Sequence, residues 1–173
     1  NNLTVVVTSG TGGTGFVALQ LAKAYGADVV VTATSGAANE AFARRMGADV
    51  VVADNRDVSS LVSAFEGADG IYAITTWSGS GFTADGTVKR SETLDPTFLE
   101  ESEVEQGRNI LAAAERTPSL SHFVLQSMHT GGRTAADASV LAPLHHRAKW
   151  RQEQALRASS LGCAWSILRQ PTY

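Results

Sequence analysis

The residues of this 173-residue chain best placed to do chemistry stand near its beginning, in Ser9-Gly10-Thr11-Gly12-Gly13-Thr14-Gly15. Gly10-x-Gly12-x-x-Gly15 follows the β-branched run Thr4-Val5-Val6-Val7-Thr8 and precedes a stretch of good helix formers. That context makes a weak pattern strong, because a strand, a glycine turn and a helix together aim the helix's unpaired N–H groups at one point. These donors and the helix dipole favour an anion, and a pyrophosphate reaches them only where no Cβ intervenes. The spacing therefore predicts a bound dinucleotide. Gly12 is expected at the contact, Gly15 to let the helix approach the sheet, and the Thr11 and Thr14 hydroxyls to add phosphate hydrogen bonds. A glycine-rich turn that binds nothing is the plainer alternative, but so many glycines carry an entropy cost that close approach would explain.

The choice of dinucleotide turns on the end of the second strand. NAD binders place an acid there, against the ribose 2′-OH. This chain has Thr32-Ala33-Thr34-Ser35-Gly36, with no acid to repel a 2′-phosphate and hydroxyls on Thr34 and Ser35 to bind one. NADP is expected, with NAD as the alternative. At the end of the third strand, Asp54 is expected to accept from the adenine amino group and Asn55 to face the ring, while Asp57 reads as a helix N-cap.

The elements that must position these residues alternate regularly. Strand-like runs cover Thr4–Thr8, Asp28–Ala33, Asp49–Ala53, Gly70–Thr75, Ser121–Gln126 and Ala164–Leu168. Helical patterns cover Phe16–Tyr25, Ala38–Met46, Val58–Phe65, Pro96–Thr117 and Pro143–Ser159, the first three closed by Gly26, Gly47 and Gly67. Parallel strands need crossover helices, so the expected fold is α/β, a doubly wound parallel sheet of Rossmann type in the order 3-2-1-4-5-6, with helices on both faces. Ligand then lies at the carboxyl ends of strands, where the order reverses. The long connections Trp77–Asp95 and Ser127–Ala142 leave those ends.

Bulk properties narrow the function classes. Apolar residues make up 43% and charged ones 18% of the chain, and the net charge is −3, which offers no electrostatic footprint for nucleic acid or an anionic membrane. No apolar run reaches the ~20 residues needed to span a bilayer. One cysteine, Cys163, rules out an intrachain disulfide; with no basic leader-like start at Asn1-Asn2-Leu3, a cytoplasmic location is expected. Cys163 reads as a small core residue, and Trp150 and Trp165 read as core rather than as ligand platforms. His122 and His129 lack the companions that metal binding requires.

Two family resemblances compete. Thr8 to Gly15, Leu19 to Ala27 and Met46 to Val51 look like the cofactor domain of medium-chain quinone oxidoreductases. The second half resembles the NmrA-like atypical short-chain dehydrogenase/reductase family, through Val104-Glu105-Gln106-Gly107-Arg108-Asn109, His122 to Ser127, His145-x-x-x-Lys149, Glu153 and Ile167-Leu168-Arg169-Gln170-Pro171. Ile74-Thr75-Thr76-Trp77 fits it too, and its motifs run in order along nearly the whole chain. The family usually has Gly where Ser9 stands. Its members continue into a small substrate-covering part, so residues 1–173 are expected to be the NAD(P)-binding domain without that part.

The resemblance implies roles. In short-chain reductases a Tyr-x-x-x-Lys pair and a Ser after the fifth strand handle the substrate carbonyl, the Lys also holding the nicotinamide ribose. Ser127 takes the Ser place, His145 the Tyr place and Lys149 the Lys place. Thr75 and Thr76 fall on the cofactor side, and Trp77 lines the nicotinamide. A His donates a proton near neutral pH, though its reach differs from a phenol's. On the plainer reading, Lys149 and Glu153 form a surface i,i+4 pair, Ser127 is a turn residue, and His145 and His146 are solvated. Two functions are therefore expected to compete. One is a reductase moving hydride from NADPH to a small carbonyl, quinone or conjugated substrate. The other is a non-catalytic NAD(P)(H) redox sensor that signals to a protein partner.

Overall fold

The computed structural model describes residues 3–34, 37–77, 95–129 and 144–170, with backbone alone for 29–34 and 96. Six strands, β1 (Thr4–Thr8), β2 (Val29–Thr34), β3 (Asp49–Val52), β4 (Gly70–Ala73), β5 (His122–Met128) and β6 (Ala164–Gln170), alternate with five helices. These are α1 (Gly13–Ala24), α2 (Ala37–Arg45), α3 (Val58–Ala64), α4 (Pro96–Ala114) and α5 (Leu144–Arg157). The strands form one parallel sheet in the order β3-β2-β1-β4-β5-β6.

Two apolar layers sandwich the sheet. Leu19 of α1 and Ala43 of α2 pack with Val7 and Ile74 on one face. On the other, Leu61 and Phe65 at α3, Ile110 and Ala113 of α4 and Leu156 of α5 pack on Val6, Ile71, Phe123 and Leu125. Neighbouring Val6 and Val7 point to opposite faces and both have no exposure, which is why the central strand is an unbroken valine run. Three helices hand over to the next strand at glycines of positive φ, Gly26, Gly47 and Gly67, the backbone state only glycine adopts without strain. Asp57 caps α3 by accepting from the Ser59 N–H at 2.9 Å.

The edge strand departs from expectation. Trp165, expected in the core, is 37% exposed with the Arg157 guanidinium over its ring, and Leu168 is half exposed. Among the described residues, Leu168 and Gln170 of β6 line an apolar cavity together with Val17 and Leu21 of α1. Cys163 is partly buried against the second apolar layer, as a small core residue should be.

Candidate functional site

Strand order reverses between β1 and β4, the place where a sheet of this kind opens a crevice at its carboxyl ends, and the glycine loop leaves β1 there. Gly12 caps α1 without any side-chain hydrogen bond, and the first turn of α1 carries no acid. Ser9 adopts φ 54°, a left-handed backbone that disfavours a side chain. Its hydroxyl is tied on both sides: it donates to the Ile74 carbonyl at 3.3 Å and accepts from Asn55 Nδ2 at 3.4 Å.

The loop glycines differ in what demands them. A Cβ on Gly15 would lie 2.4 Å from the Ser9 carbonyl oxygen and 2.6 Å from Gly10 Cα, so the protein's own packing requires glycine there. Gly12 has an ordinary extended backbone, φ −76° and ψ 167°, and its Cβ would sit at a comfortable 3.6 Å from Ser9. A Cβ on Gly13 would meet nothing within 4 Å. Neither strain nor internal packing explains those two. Open space at an uncapped helix N-terminus does, and a dinucleotide pyrophosphate fits it. Thr14, expected to face phosphate, accepts from Gln170 Nε2 at 3.2 Å and so ties α1 to the end of β6.

At the end of β3, Arg56 grips the Asp54 carboxylate through its backbone N–H at 2.9 Å and its guanidinium at 2.6 Å. The Arg56 hydrogen bonds hold Asp54 below the usual carboxylate range. Asn55 braces rather than projects: Nδ2 also donates to the Ile74 carbonyl, and its own carbonyl accepts from Asn109 Nδ2. The side chain of Thr34 and the whole of Ser35 lie outside the described residues.

The end of β4 is clamped from α4. Gln106 accepts from the Thr76 N–H at 3.1 Å and donates to the Thr76 carbonyl at 3.0 Å, fixing the backbone that leads to Trp77. Next to it, a charged cluster is sealed from water. Glu103 has no exposure and Lys149 is 1% exposed. The Lys149 ammonium lies 2.6 Å from Thr75 Oγ1 and 3.1 Å from Glu103 Oε1, with the Thr75 carbonyl at 3.3 Å and Gln126 Oε1 at 3.4 Å. The other Glu103 oxygen lies 2.6 Å from His145 Nδ1. The His145 side chain is 29% exposed, and its ring meets Trp77 edge-on at 5.3 Å. Burial pushes the Glu103 carboxyl up, but the His145 hydrogen bond and the Lys149 charge outweigh it, leaving it below the ordinary glutamate range. Burial pushes Lys149 down despite Glu103 beside it.

Ser127 belongs to a second buried carboxylate. Its hydroxyl, with no exposure, donates to Glu153 Oε1 at 2.7 Å, and Arg169 forks onto both Glu153 oxygens at 2.9 and 2.6 Å. The surface Lys149–Glu153 pair of the plainer reading does not form. Both residues are buried, and each finds a partner on another element.

The fold thus gathers Thr75, Thr76, Trp77, His145 and Lys149 along one edge, and places Ser127 beside them on Glu153. Sequence reasoning passed over Glu103, and quoted Gln106 and Asn109 only for the family resemblance, without a role. A signal existed: Glu103 and Gln106 fall on the i, i+3, i+4 stripe that buries Leu99, Ile110 and Ala113, so polar groups sit where a helix meets its core. Among the described residues no His, Cys, Asp and Glu group could hold a metal ion, and no helix is long and apolar enough to cross a membrane.

A family model described as NAD(P)H-binding matches residues 10–173. A solved triphenylmethane reductase from Citrobacter sp. superposes with a TM-score of 0.70 at 20% identity, over 99% of this chain and 50% of that one. An NADPH-dependent quinone oxidoreductase from Escherichia coli, solved with NADPH, gives 0.66 at 21%, over 96% and 48%. An anaerobilin reductase from Escherichia coli O157:H7 gives 0.67 at 18%, over 96% and 71%. The first two are about twice as long as the part this chain matches. No curated protein matches by sequence.

Proposed function

The chain belongs to the NAD(P)H-binding family, and we propose on that premise that residues 1–173 are the dinucleotide-binding part of an NADPH-dependent reductase acting on a small carbonyl, quinone or conjugated substrate. The observation that carries this reading is His145, partly exposed beside Trp77 and hydrogen-bonded from behind to a buried carboxylate. Similarity to NADPH-dependent reductases supports it.

Gly12 and Gly13 leave the α1 N–H groups open to the pyrophosphate. The adenosine side falls to the ends of β2 and β3, where the sequence offers the hydroxyls of Thr34 and Ser35 and no acid; this favours NADPH over NADH. Asn55 and Asp54 frame the adenine place. Thr75, Thr76 and Trp77 border the nicotinamide side. When bound, the reduced nicotinamide supplies a hydride to the substrate's electrophilic carbon. His145, protonated on both ring nitrogens, then passes its Nε2 proton to the substrate oxygen as that oxygen takes the electron pair of the broken C=O π bond, and solvent restores the proton. Lys149 acts from behind: with every ammonium proton directed at protein oxygens, it keeps Glu103 ionised rather than touching ribose.

A second reading draws on the same geometry. Ser127 and Lys149, two of the three groups a short-chain reductase would use, are both committed to internal partners. That favours a redox sensor, which binds NADP(H) and signals to a protein partner without turnover.

One assay separates them. NADPH and NADH are titrated by fluorescence, and loss of reduced-nicotinamide absorbance is followed with quinones and aldehydes. The reductase reading expects NADPH turnover that His145→Gln abolishes while NADPH binding persists. Binding without turnover on any of these substrates favours the sensor. Binding of neither dinucleotide below roughly millimolar concentration overturns both.

A further inference from the structure

We infer that Glu103 is a positioning residue that locks His145 in its Nδ1–H tautomer, so that Nε2 is the one ring nitrogen free to exchange a proton in the crevice. The role of Nε2 in reduction rests on the reductase reading above; the tautomer does not.

Glu103 is fully buried on α4 and divides its two oxygens between two duties. Oε1 lies 3.1 Å from the Lys149 ammonium and 3.0 Å from the Thr75 hydroxyl. Oε2 is left to His145 Nδ1 at 2.6 Å. An ammonium at that distance favours the ionised carboxyl, and an ionised carboxyl only accepts. The proton on the short contact therefore belongs to Nδ1. A neutral imidazole carries one N–H, so the lone pair falls on Nε2. Protonation of the ring adds its proton there, and Nε2 becomes the donor.

Among the described residues, the charged or titratable groups given a contact with the His145 ring are Glu103 from α4 and His146 on α5 itself, the latter 6.3 Å away ring to ring. Lys149, one turn along, acts through Glu103. Trp77 packs edge-on and adds no charge. A buried ion pair is a weak source of stability, and an apolar pair of equal volume often holds a fold as well. Lys149 and Glu103 are better explained by what they impose on His145 than by what they add to folding.

Histidine free in water prefers the opposite, Nε2–H, tautomer, so the state is diagnostic. Long-range proton–nitrogen correlation spectra are recorded on the 15N-labelled protein at about pH 9, where histidine rings are ordinarily neutral. The wild type is expected to show His145 protonated at Nδ1 and bare at Nε2. A charge-neutral double variant, Glu103→Leu with Lys149→Met, avoids stranding one buried charge, and unchanged His122 signals report an intact fold. In it His145 is expected to revert to Nε2–H. Wild-type His145 in the Nε2–H form, or a double variant that keeps Nδ1–H, overturns the inference. With a turned-over substrate, the double variant should lower kcat at least tenfold and leave KM for NADPH unchanged. Absence of wild-type turnover refutes the reductase reading and leaves the tautomer result to decide this one.

Discussion

Gly12→Val and Gly15→Ala should damage the protein in opposite ways, and the contrast tests whether the loop is built for a ligand. At Gly12 the backbone is one that valine adopts readily, and the added Cβ meets only the Ser9 carbonyl at 3.6 Å. Stability should therefore stay within about 0.5 kcal/mol of wild type. Binding should suffer, because the isopropyl group stands at the α1 N–H donors. A hydrogen bond to a charged group contributes about 1.5–3 kcal/mol. Losing one such bond weakens NADPH roughly 10- to 150-fold. At Gly15 the Cβ would fall 2.4 Å from the Ser9 oxygen and 2.9 Å from the Gly10 carbonyl carbon, both backbone. The loop or α1 must move, at about 1–3 kcal/mol. For a domain of this size that lowers Tm by roughly 2–12 °C. Thermal melts without ligand and fluorescence titrations with NADPH read the two effects separately. A Gly12→Val protein that binds NADPH as the wild type does, or a Gly15→Ala protein that melts with it, refutes the division of labour drawn here.

Other outcomes follow from particular contacts. Lys149→Met alone strands the buried Glu103 carboxylate and should cost about 3–5 kcal/mol, or roughly 6–20 °C of melting temperature, more than the double variant with Glu103→Leu; equal melting of the two would refute it. Asp57→Ala removes the α3 cap and should destabilise by about 1 kcal/mol in urea unfolding. Gly107→Ala would place a Cβ 2.5 Å from Gln152 Cγ at the α4–α5 contact, displacing the amide that donates to Thr75 and to the Glu103 carbonyl, and should lower Tm by several degrees. Glu100, through hydrogen bonds from Arg147 and Arg151, and Glu103 both titrate below the ordinary range when folded. The unfolded chain takes up those protons first as pH falls, so their stabilisation is present above about pH 4.3 and lost below it. Melting curves that stay level from neutral pH into that acid range would contradict both shifts.

Much of this protein is legible along the chain, because the forces that shape its elements are local. Valine runs mark strands buried on two faces, and Gly26, Gly47 and Gly67 stand where each helix needs a positive φ to turn back. Asp57 stands one residue before its helix and caps it. The glycine loop likewise carries its meaning in its own spacing. The candidate site is different. Local spacing paired Lys149 with Glu153, four residues apart on one helix, but the pair exists only if both face water. Folding buries both. Inside the protein each charge must take whatever compensating partner is nearest in space: Glu103 on α4 for Lys149, Arg169 on β6 for Glu153. Those partners are 46 and 16 residues away in sequence, and no helical period links them. The sequence alone carries the proposal that a dinucleotide's phosphates sit at Gly10–Gly15. Only the packing of α4 against α5 decided that His145 meets a buried carboxylate, because desolvation, which local spacing cannot register, sets what a buried charge must do.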